Sequence, residues 1–149
     1  MSNLSYYNSL LKMSYDDAVS LLLKKYGPSK ADYFSEKSYQ RFLNNEIKTI
    51  SKGKISRTNE GLYCHHIDEN KYLRISKPEV IKMFNIPFSS QRKESLVYCD
   101  IIEHAALHAL IPFVSRDINA CKAACSKFFL NPKYSNGMLW EKSLQYNGE

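Results

Sequence analysis

The stretch YCHHIDEN, residues 63–70, sets His65 and His66 side by side in a 149-residue chain that has only four histidines. Apolar residues flank the pair, and a polar run, Asp68-Glu69-Asn70, follows. This pattern predicts a short strand over GLYCHHI, a turn at DEN, and KYLRI (71–75) as the returning strand of a hairpin. Adjacent side chains on a strand point to opposite faces, so the two imidazoles are expected to meet different surroundings.

The other two histidines, His104 and His108, lie in DIIEHAALHALI, residues 100–111. Asp100 with Glu103 three residues on is an aspartate form of the capping box, and it predicts a helix that Pro112 ends. Spaced i and i+4, the two imidazoles share one helix face and are close enough to hold one ion. A lone HxxxH is commonly a pair of structural histidines. The second pair, with no histidine elsewhere, tips the reading towards metal: the strand supplies a third ligand from His65 or His66 and leaves its neighbour free. A free imidazole, with an ordinary pKa near 6.5, accepts a proton from water at neutral pH. A cation beside it stabilises charge on a phosphate.

Around this pairing, SYDDAVSLLLKKYGP predicts a helix capped by Ser14, with Asp16 and Asp17 in its first turn, Lys24 and Lys25 in its last, and Gly27-Pro28 beyond. KADYFSEKSYQRFLNNEIKTI (30–50) predicts a second helix with an aromatic core stripe. KPEVIKMFN predicts a small inserted helix started by Ser76 and Pro78. SRDINACKAACSKFFL, from Ser115, predicts another, and a last short helix is expected around Trp140. KTISKGKISRTNEG (48–61) reads as a basic, flexible connector broken by Gly53 and Gly61.

Hydrophobic residues make up 44% of the chain and charged ones 24%, an ordinary globular balance that argues against disorder. The net charge is +6, and residues 1–57 carry ten Lys/Arg against five Asp/Glu. A basic segment upstream of the histidines points to a polyanionic partner. Cys64, Cys99, Cys121 and Cys125 show no CxxC spacing, so buried thiols are expected and not a zinc knuckle. No apolar run approaches the eighteen or so residues of a membrane span, and no export signal is visible; the expectation is a soluble, cytoplasmic protein without a membrane partner. The order EHAALH is not HExxH, so a zinc peptidase is disfavoured.

CHHID followed by ESLVYCDIIEHAALH, within residues 62–110, resembles the HNH nucleases, whose ββα-metal site is built from a hairpin and one helix. The resemblance implies an α+β fold with a ββα-metal core at 62–111. An N-terminal helical part (1–47), the connector (48–61) and a C-terminal helical part (112–149) complete one domain. By the same resemblance His65, His104 and His108 are metal ligands and His66 is the general base. Ser95 falls in the slot of the family's asparagine, which orients the catalytic histidine; a hydroxyl can make fewer of those hydrogen bonds. One divalent ion (Mg²⁺, Mn²⁺, Zn²⁺ or Ni²⁺) and double-stranded DNA are the implied cofactor and partner. Lys48, Lys52, Lys54, Arg57, Arg92 and Lys93 are the natural phosphate contacts. The alternative is a catalytically weakened module of a mobile element that binds DNA or a protein partner.

Overall fold

The computed structural model describes residues 3–111, all within one compact unit, Met1–Pro112. Pro112, the helices expected from Ser115 and around Trp140, and Cys121 and Cys125 lie outside the described residues. The architecture is α+β. Five helices, α1 (Asn3–Leu10), α2 (Tyr15–Tyr26), α3 (Glu36–Leu43), α4 (Pro78–Phe84) and α5 (Ile101–Leu110), accompany one antiparallel pair, β1 (Tyr63–His66) and β2 (Leu96–Cys99). Among the described residues no helix is long and apolar enough to cross a membrane.

The returning strand is LVYC (96–99), and the expected KYLRI partner of β1 is a correction. His65 stands opposite Val97 and His66 opposite Leu96. Residues 71–76 form turns, and Arg74 adopts a left-handed φ of 62°, which a strand does not accommodate. Glu69 enforces that turn by accepting the Arg74 N–H at 2.6 Å. Ile75 is fully buried, but in a cluster with Phe34, Tyr39, Phe42, Ile81, Ile86 and Phe88. All four residues of LVYC are buried, so β2 pairs with β1 while supplying apolar side chains to both faces.

That register separates the two histidines. Val97 and Cys99 belong to the core made with Leu10, Tyr15, Ala18, Val19, Leu22, Ala106 and Leu107 of α1, α2 and α5. Opposed residues of an antiparallel pair share a face, so His65 lies on the α2/α5 side and His66 on the other.

The helix ends follow the expected chemistry in α2 and α5. Ser14 accepts the Asp17 N–H at 3.1 Å, and the N–H of Gly27, at a φ of 77°, closes on the Leu23 carbonyl. Asp100 Oδ1 accepts from the N–H groups of Ile102 and Glu103, and Glu103 Oε2 accepts from Asp100 N at 2.7 Å, completing the capping box. The second predicted helix shortens to α3, because Ser35 caps it and Asn45 turns left-handed after it. α4 begins with Pro78 at its start and Lys77 as the cap residue; Ser76 makes no capping bond.

Two further features departed from expectation. α1 was not anticipated; its polar sequence gains a partner through Tyr6, which donates to Glu103 at 2.6 Å, and Tyr7, which donates to Asp100 at 2.7 Å. The connector is pinned in place: Ser35 N–H donates to Ser51 O, Gly53 N–H donates to Tyr33 O at 2.8 Å, and Phe34 bridges Lys52. Gly53 is required there, since a Cβ would collide with the Asp32 carbonyl.

Candidate metal centre

α5 and β1 bring three histidines together. The imidazole centroids of His65 and His104 are 5.2 Å apart, those of His65 and His108 5.0 Å, and those of His104 and His108 4.7 Å. One nitrogen from each lies within 4.8 Å of the others. The helical pair meets because i and i+4 share a face, and the capping box fixes where that face points.

Burial holds these imidazoles in the uncharged form. Desolvation holds His104 down at about 3 and His108 at about 4. His65, which is 1% exposed, lies well below its ordinary value through burial and then through the other three histidines, His108 first. At neutral pH all three are uncharged and carry a lone pair, the form that binds a metal. Three imidazole nitrogens are a donor set suited to zinc, nickel or copper, and they leave further coordination positions for water or substrate. The residues therefore fit one divalent ion.

His66 faces away from this cluster. It is 3% exposed, and burial lowers it to about 4 against a partly opposing bond from Gln91. Its Nε2 lies 2.8 Å from Gln91 Oε1, and the Tyr33 ring packs on it with centroids 4.2 Å apart. Ser95, placed by sequence in the orienting slot, instead donates its hydroxyl to Ser89 O at 2.8 Å and so braces the loop before β2.

Three contributors were not read from sequence: Tyr15, whose hydroxyl is 2.9 Å from His65 Nε2, Gln91 and Tyr33. The sequence set Tyr15 in one predicted helix and Tyr33 in the aromatic stripe of another, and neither placement says which histidine the ring meets.

The six basic residues divide. Lys48, Lys54 and Lys93 are exposed. Lys52 is exposed with its ammonium 5.6 Å from the Tyr33 ring centroid, on the covering of His66. Arg92 lies 3.4 Å from the Glu36 carboxylate and over the Phe88 ring. Arg57 is committed internally: it donates to both Glu60 oxygens and to the Tyr26 carbonyl, and stacks over Tyr98. The segment Asp32–Phe34 touches two of them, Lys52 and Lys93. Lys52 borders it on one side, while Tyr33 N–H reaches Gln91 O and Lys93 N–H reaches Asp32 Oδ1 on the other.

Cys64 and Cys99 are free thiols on neighbouring strands, and burial raises both, Cys64 to about 12. They are protonated at neutral pH, the form that neither attacks nor ligates. Comparison with protein-family models, curated proteins and solved structures returned no match.

Proposed function

We propose that this protein is a metal-dependent DNA endonuclease of the HNH type, with β1, β2 and α5 as a ββα-metal core. One observation carries the reading: His65 of the tandem pair joins His104 and His108, while His66 points elsewhere. This is the division of labour expected of three ligands and one base. His65, His104 and His108 would hold a divalent ion, which when bound would supply Lewis acidity to the phosphate.

The chain's own part is proton transfer and positioning. His66 accepts a proton from the attacking water, whose oxygen bonds to phosphorus as the bond to the 3′ oxygen breaks. Burial keeps His66 neutral at pH 7, the form a base needs, while also making it a weaker proton acceptor than a free imidazole. Lys52, whose ammonium lies over the Tyr33 ring that covers His66, is the nearest candidate phosphate contact, with exposed Lys93, Lys48 and Lys54 and the Glu36-paired Arg92 as further ones.

The test is plasmid nicking with Mg²⁺, Mn²⁺, Zn²⁺ or Ni²⁺. Cleavage is expected with at least one ion and lost in His66→Ala with metal affinity retained; His104→Ala loses both. Inertness with every ion rules the proposal out. A second reading, a metal-clamped module that does not cut, draws on the closure of His66 beneath Tyr33 and Gln91. It predicts thermal stabilisation by metal without any nicking.

A further inference from the structure

Gln91 is entirely buried, a costly place for an amide unless both of its ends are satisfied. Its Nε2 donates to the Ile75 carbonyl at 3.2 Å, and its Oε1 lies 2.8 Å from His66 Nε2. The Ile75 carbonyl can only accept, which fixes the amide with its NH₂ towards Ile75 and its oxygen towards His66. An amide oxygen can also only accept. The proton therefore sits on His66 Nε2 and the lone pair on Nδ1.

The loop around Gln91 is held on several sides. Its carbonyl accepts the Tyr33 N–H at 2.7 Å. Ser90 before it donates to Asp68 at 2.7 Å, and Ser95 ties the loop's end to Ser89. With the Tyr33 ring against the imidazole, His66 is fixed in position by the ring and in protonation by the amide.

We propose that Gln91 is the positioning residue of His66: its side-chain oxygen holds the imidazole in the Nε2–H form and aims it, so that Nδ1 is the proton-accepting atom. The arrangement parallels a histidine base oriented by a carboxylate or amide behind it. Ser95, in the slot expected to orient His66, acts on the loop that carries Gln91. The proposal rests on the nuclease reading for the purpose of the hold, and not for where the proton lies.

Long-range ¹H–¹⁵N correlation spectra of the full-length, ¹⁵N-histidine-labelled protein at neutral pH test it. His66 is expected as one species, protonated at Nε2 and bare at Nδ1. Gln91→Met keeps the length and removes the acceptor, and is expected to give signals averaged between tautomers. Gln91→Glu restores an acceptor and the single form. A proton on Nδ1 in the unaltered protein, or a Gln91→Met spectrum identical to it, overturns the proposal; if Gln91→Met does not fold, the unaltered protein decides alone. Gln91→Met is also expected to nick plasmid roughly tenfold more slowly, with Zn²⁺ affinity unchanged. A matching loss of Zn²⁺ affinity would mean that Gln91 merely supports the fold. A protein that shows the Nε2–H form yet cuts no DNA defeats the nuclease reading and leaves the proton placement standing.

Discussion

Tyr15, the first residue of α2, and His65, on β1, meet at 2.9 Å between the phenol oxygen and Nε2. The phenol has one proton, and burial keeps it there by raising its pKa. That proton goes to the Ile67 carbonyl at 2.8 Å, which can only accept. The phenol oxygen therefore accepts from His65 Nε2–H, and the free lone pair of His65 is on Nδ1. A helix laid down fifty residues earlier thus decides which nitrogen of the ligand is available for an ion.

Tyr15→Phe removes that partner and is expected to weaken Zn²⁺ binding about 10- to 100-fold, the usual effect of losing a residue that orients a ligating histidine. Competition against a chromogenic chelator measures it. An affinity equal to that of the unaltered protein would show that the phenol plays no part in presenting His65.

Zn²⁺ or Ni²⁺ should raise the thermal midpoint, because a ligand that binds only the folded state stabilises it by about 2.7 kcal/mol at a hundredfold excess over Kd. His108→Ala leaves two of the three donors, and most of the shift should vanish. Differential scanning calorimetry with and without EDTA checks this; equal shifts in both proteins would place the ion elsewhere.

The metal-free protein should lose stability as the pH falls from about 6.5 to 4. His66 and His108 titrate at about 4 and His104 at about 3 when folded, all depressed chiefly by burial, and His65 lies well below its ordinary value. Between those values and 6.5 the unfolded chain binds protons that the folded one refuses, so acid favours unfolding. Glu69 works in the opposite sense. Burial raises it to about 7, so its contribution is full below about 4.5 and is lost as the pH rises through 7. Four imidazoles outweigh one carboxyl, and Glu69→Gln should steepen the rise of stability with pH. Urea midpoints across pH 4 to 8 report the slope; a flat profile would contradict the neutral, buried histidines.

Gly53→Ala should destabilise by about 2 kcal/mol, since the new methyl displaces the Asp32 carbonyl from a tightly packed crossing. The same strip carries Tyr33 over His66, so nicking activity should fall as well. Chemical denaturation gives the first number, and an unchanged midpoint would mean that the connector yields freely.

Local chemistry in the sequence determined much of this protein. Ser14 and the acid-to-base gradient of α2, the Asp100–Glu103 capping box, the facing of His104 and His108, and the splitting of His65 from His66 all depend on spacings of at most a few residues. Such effects are set by backbone periodicity and by side chains reaching their own neighbours. The tertiary structure alone decided which strand pairs with β1, because the sequence pointed to KYLRI as the hairpin partner and burial placed LVYC there instead. It also decided that Arg57 is spent on Glu60 and Tyr26, and that Tyr15 and Gln91 set the protons of the two adjacent histidines. Those contacts join residues 25 to 50 positions apart, except for the Arg57–Glu60 pair. A hydrogen bond of that kind leaves no periodic mark in the chain; it exists only once packing has brought donor and acceptor within 3 Å.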